Sequence, residues 1–125
     1  MQIDSPDISE VLVETNKQEY SQGEEILLTI TNNLDTSITT FDQQAFCSII
    51  RLEHKDGTEW REVRNCVSGV PSRPVTLNPH TETIVKLPGP PPGIYRSSMI
   101  FSRGESFNFG KSSAASSLPF RVGTP

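Results

Sequence analysis

Two cysteines and two histidines are the scarce chemistry-bearing residues of this 125-residue chain. Cys47 and Cys66 sit on either side of Asp56-Gly57, a pair that tolerates the positive φ angles of a tight hairpin turn. A ribbon folded about Asp56-Gly57 sets Cys47 opposite Cys66, and in an oxidising compartment the pair could close a cross-strand disulfide. The alternative is two separate thiols packed as small apolar residues. Metal binding would need more ligands, and neither a C-x-x-C run nor a paired-histidine spacing is present. His54 and His80 fall at a strand end and in a turn, where surface positions are expected. Serine is abundant, but there is no G-x-S-x-G elbow, P-loop or H-E-x-x-H. A hydroxyl without a base and an orienting acid is not a nucleophile. The expectation is therefore a protein that is not an enzyme and carries no cofactor or metal.

Recognition chemistry concentrates in residues 103–117. Arg103 opens this polar stretch, and Phe107 and Phe109 stand within it between Gly104 and Gly110. Two aromatic anchors beside a guanidinium suit a protein partner, and the competing reading folds both rings back over the end of the core. Trp60 follows the hairpin turn closely and is expected in the core or at its margin, with a sugar-stacking or interface role as the alternative. Glu53, Glu59 and Glu62 can pair across the hairpin with Arg51, Arg61 and Arg64.

The elements that would position these residues read as short strands. Ile26, Leu28 and Ile30 alternate with Leu27, Thr29 and Thr31, a period-two pattern that predicts a half-buried strand. Ile8–Thr15 turns Val11 and Val13 to one face. Ser37–Phe41, Phe46–His54, Thr58–Asn65, Thr81–Leu87, Ile94–Ser102 and Leu118–Val122 follow, the last with Leu118, Phe120 and Val122 inward. Residues 67–78 are expected to be irregular, and the serine-rich 112–117 to be flexible loop. Ten prolines and eight glycines interrupt the chain, and no helix signal survives them. The prediction is an all-β, immunoglobulin-like antiparallel β-sandwich of seven to eight strands in Greek-key order. It forms one domain over 1–125, with its core at about 8–123. Pro88–Gly93 leads into Ile94-Tyr95, where a tyrosine corner is expected.

Net charge is −4, and residues 1–25 hold seven acids against Lys17 alone. No basic cluster suits a phosphate backbone, so nucleic-acid binding is not expected. No apolar run reaches the roughly 18–20 residues needed to cross a bilayer, so no direct membrane insertion is expected. The first residues resemble no signal peptide, which leaves a cytoplasmic chain or a mature or excised domain.

Tyr20-Ser21-Gln22-Gly23-Glu24 before an Ile-Leu-Leu-Thr-Ile-Thr-Asn strand resembles bacterial immunoglobulin-like domains. So do Asp56-Gly57-Thr58-Glu59-Trp60, Leu77-Asn78-Pro79-His80, Gly93-Ile94-Tyr95-Arg96 and Leu118-Pro119-Phe120-Arg121-Val122. The likeness spans roughly residues 10–122. It is similar, more loosely, to the bacterial intracellular proteinase-inhibitor family. The first resemblance implies a monomeric binding or structural module of an envelope or secreted protein, contacting another protein through its loops. The second implies an inhibitor that presents an exposed loop to a protease. An accessory carbohydrate-binding domain is the remaining expectation.

Overall fold

The computed structural model describes residues 10–41, 49–63, 73–106 and 109–123. Two β-sheets pack face to face. The smaller is antiparallel, in the order β1 (Val11–Thr15), β3 (Ile26–Asn32), β8 (Thr81–Leu87). The larger is built on β9 (Gly93–Arg103), an 11-residue strand with neighbours along both edges. Along one edge lie β4 (Ile38–Phe41) and β5 (Arg51–Asp56), end to end. Along the other lie β10 (Ser112–Ser116) and β11 (Phe120–Val122). β6 (Glu59–Val63) pairs with β5 and β7 (Pro74–Leu77) with β4, while β2 (Glu19–Tyr20) runs parallel to β11. The all-β sandwich read from the sequence is the observed fold. It has more segments than expected because several strand lines are interrupted.

The alternation of β3 drives the layering. Ile26, Leu28 and Ile30 are buried, and they meet Val11, Val13, Ile38, Leu52, Met99, Phe101 and Phe120 between the sheets. Each such side chain contributes about 1.5–3 kcal/mol by leaving water. Asn32, one position beyond Ile30 on the same face, is also buried. Its amide nitrogen donates to the carbonyls of Thr36, Leu77 and Asn78 and its oxygen accepts the Leu34 N–H, so it ties the turn after β3 to the end of β7 without an orphaned polar group.

The hairpin turns one residue later than expected. Asp56 faces Glu59, so the loop is Gly57-Thr58 rather than Asp56-Gly57. Gly57 has φ +67°, and His80 is the one non-glycine with positive φ among the described residues. Glycine with positive φ at the first loop position is the pattern of a II′ turn, whose twist matches the strands it joins. A one-residue shift of the turn moves every cross-strand partner by two. Leu52 faces Val63, and the same register reappears where Phe41 faces Pro74. The numbering that set Cys47 opposite Cys66 belongs to the other register, and both cysteines lie outside the described residues.

Three further expectations are corrected. Pro74–Leu77 is a strand, with proline at its first position, where the missing N–H does least harm. Ser112–Ser116 is a strand laid along β9, because its small side chains fit beside Ser98, Ile100 and Ser102. Leu118 is 71% exposed rather than inward. The β10 register with β9 slips by one residue before β11, and that extra residue turns Leu118 outward.

Candidate functional site

Trp60 lies on the outer face of the larger sheet rather than between the sheets. It faces Lys55, whereas Val63 faces the inward Leu52, so the hairpin is apolar on both faces. The Arg96 guanidinium stacks 4.5 Å from the Trp60 ring centroid and donates from Nε to Glu53 at 2.8 Å. Arg51 pairs with Glu62 at 2.9 Å beside them. The guanidinium covers one face of the partly exposed Trp60 ring.

Of the residues singled out for binding, Arg103 ends β9. Its Nη2 donates to both carboxylate oxygens of Glu10, at 3.3 and 3.2 Å. Gly104 follows with φ +98°, donating its N–H to the Ser37 carbonyl and accepting from the Thr39 hydroxyl, both at 2.7 Å. Phe109 opens a short 3-10 turn (Phe109–Lys111) that feeds β10. Phe107 lies outside the described residues. The structure thus joins Arg103 to the start of β1, and Glu10 begins the wall of a slot.

That slot, of ≈ 310 Å³, separates the edge strands of the two sheets. Glu10, Val11, Leu12 and Val13 form one wall, and Ser113, Ala114, Ala115 and Ser116 form the other, with Phe101 between them. Its volume equals the share of roughly ten water molecules. Both walls are sheet edges. Asn33 donates to Glu10 and Asn16 to Leu27, so the even-numbered residues of β1 bond to β3 and the backbones of Val11 and Val13 point away from it. Ser117 donates to Ser97, so Ala115 and Ser113 bond inward to β9 while the backbones of Ala114 and Ser116 face the slot.

Below the slot the same two chain lines are joined. Arg121 faces Glu19 and Val122 faces Tyr20 in a parallel ladder, and Gly123 donates to Tyr20 at 2.8 Å. Above that ladder, β1 and β10 continue the two chain lines with the slot between them. The joined part is held by three rings. Phe120 lies 5.6 Å from Tyr20, edge-on, and 6.1 Å from Tyr95, stacked. The Tyr95 hydroxyl donates to the Pro91 carbonyl at 2.7 Å, the tyrosine corner expected from the sequence. The Tyr20 hydroxyl donates to Asn16 Oδ1 at 2.5 Å and accepts the Lys17 N–H at 3.2 Å. Burial pushes both phenols above their ordinary value. Close by, hydrogen bonds from Lys17 and the Ser21 N–H hold the Glu24 carboxyl below the usual carboxylate range.

Sequence reasoning missed the slot because Ser112–Ser116 shows no alternation of apolar and polar types. The available signal was a run free of glycine and proline between Gly110 and Pro119. Chemically, the slot offers backbone donors and acceptors, small side chains and a carboxylate at its end. Among the described residues, no three His, Cys, Asp or Glu side chains gather as a metal site would require.

No family model matches the chain, and no curated protein matches it. Among solved structures it is similar to a β-glucosidase from Listeria innocua in complex with glucose, at 18% identity and TM-score 0.39, covering 92% of this chain and 16% of that one. The same enzyme with gluconolactone aligns at 18% identity and TM-score 0.34, over the same shares of the two chains. The chain spans 16% of the length of the enzyme chains it resembles.

Proposed function

We propose that the protein is a non-catalytic immunoglobulin-like module that works by contact with another protein, as part of a bacterial envelope or secreted protein. The observation that supports this reading is the slot. Two strand edges with outward-facing backbone groups border one side of a sandwich whose core is otherwise well filled. Free edges are where chains pair with other chains. The ion pair of Arg103 with Glu10 moves the emphasis from the 103–109 loop to the strand edge beside it.

A screen of the full chain against an array of extended peptides, with a subtilisin-type protease titration alongside, tests the reading. Saturable peptide binding without loss of protease activity is the expected result. Stoichiometric inhibition of the protease would replace it with the inhibitor reading. An array on which nothing binds would end the protein-contact reading.

A further inference from the structure

We infer that the outer edge of β8 is a self-association site, where two copies of this chain pair antiparallel about a two-fold axis at Ile84. The partner is a second copy of the chain, so the inference goes beyond the contact proposed at the slot. Three observations carry it. The first is the direction of the backbone. Among the described residues β8 pairs with β3 alone and ends the smaller sheet. Asn33 donates to Glu10 and Asn16 to Leu27, so the odd-numbered residues of β3 bond to β1 and its even-numbered residues to β8. Those even-numbered residues face Thr81, Thr83, Val85 and Leu87, which directs the backbones of Glu82, Ile84 and Lys86 off the edge. The second is exposure. The side chains of the same three residues stand exposed on the outer face of the sheet, with Ile84 66% in water.

The third is the order of charge. Ile84 is the midpoint of Thr81–Leu87, so an antiparallel copy in full overlap sets Ile84 against its own equivalent. The same register sets Glu82 opposite Lys86 of the second copy, and the half-buried Thr83 opposite the half-buried Val85. Acid thus meets base on both sides of an apolar contact. Centring the pairing on Glu82 would oppose acid to acid, and centring it on Lys86 would oppose base to base. Charges on an edge strand ordinarily discourage pairing. Here their sequence forbids the shifted registers and favours one. His80, with φ +55°, and Pro88, with no N–H to donate, bound the strand at its two ends. The product is an isologous dimer in which the smaller sheet runs on into its copy. A contact of two strands falls below the ~1,200 Å² of a stable interface, so a weak dimer is expected, with Kd on the order of 0.1 mM.

Sedimentation equilibrium of the full chain, from about 0.01 to about 1 mM at low salt, tests this. A reversible monomer–dimer equilibrium that weakens as salt is raised is the expected result. Glu82→Lys and Lys86→Glu each place like charges across the axis, and each should raise Kd at least about tenfold. Both side chains are exposed, so both variants should keep the Tm of the parent. Mixed in equal amounts, the two variants present opposite charges to each other and should dimerise again. In the unaltered protein, amide exchange at Glu82, Ile84 and Lys86 should slow as concentration rises, a readout that needs no variant. A chain that stays monomeric throughout would overturn the inference. So would a dimer indifferent to both charge reversals, variants that stay monomeric when mixed, or exchange at the three amides that ignores concentration. Association growing beyond the dimer would overturn it too, because edge pairing about a two-fold axis closes. None of these outcomes bears on the peptide array, which tests the slot.

Discussion

The two halves of one sandwich edge differ in how they are closed. In the lower half β2 and β11 share a ladder, and Phe120 is held between two tyrosines whose hydroxyls tie down the loops before them. In the upper half β1 and β10 run along the same line with a slot between them, and the charged contact beside it is Arg103 with Glu10 at the surface. The boundary is the register slip around Ser117. There the ladder bond that Ser97 N–H would make is replaced by a bond to the Ser117 hydroxyl at 3.0 Å. Large rings close an edge, whereas serines and alanines keep a strand in the sheet and leave its outer side open. Residue size along β10–β11 therefore decides where the molecule is sealed and where it can accept a neighbour.

If that contrast is right, substitutions in the two halves should differ sharply in cost. Phe120→Ala removes the ring shared by Tyr20 and Tyr95 and should cost about 3–5 kcal/mol in urea unfolding. A cost under about 1 kcal/mol would show that the rings do not close this end. At the boundary, Ser117→Ala deletes the acceptor of the buried Ser97 N–H. It should cost about 1–3 kcal/mol, the penalty of an orphaned donor. Ser117→Thr keeps the acceptor and should recover most of that loss.

The lower half was the more legible in sequence, for a physical reason. Tyr95 follows a proline-rich crossing, and Phe120 and Val122 alternate, so burial leaves a mark in residue type. The core of β3 was legible for the same reason. Ser112–Ser116 left no such mark. It is held by backbone bonds to β9, which any non-proline residue can make, and its side chains bury little. Leu118 misled because alternation was carried through a bulge, and a single extra residue reverses every face. The hairpin failed by the same arithmetic. Asp-Gly suggested a turn centre, but the structure puts glycine first in the loop, and one position of error moved each cross-strand partner by two.

Alkaline titration separates the halves through the phenols. Tyr20 and Tyr95 both titrate above their ordinary value of 10.0 in the folded protein, chiefly because burial disfavours the phenolate. Below that value both folded and unfolded chains are protonated, and the full stability is present. As pH rises past it, the unfolded chain releases protons first, so stability falls and continues to fall until the folded phenols ionise. Urea midpoints measured between about pH 8 and about pH 12, on either side of the phenol range, should drop at the upper end. The Tyr20→Phe, Tyr95→Phe double variant should show a flatter profile. An unchanged slope would mean that the two phenols are not what couples the lower half to pH.

The smallest effect belongs to the open end. Arg103 and Glu10 are exposed by 58% and 41%, so water and salt screen their attraction. Arg103→Ala should cost no more than about 1 kcal/mol, and the cost should shrink in high salt. The same substitution leaves Glu10 free at the slot mouth. A large loss of stability instead would place Arg103 among the groups that close the sandwich, and the two halves would no longer differ in kind.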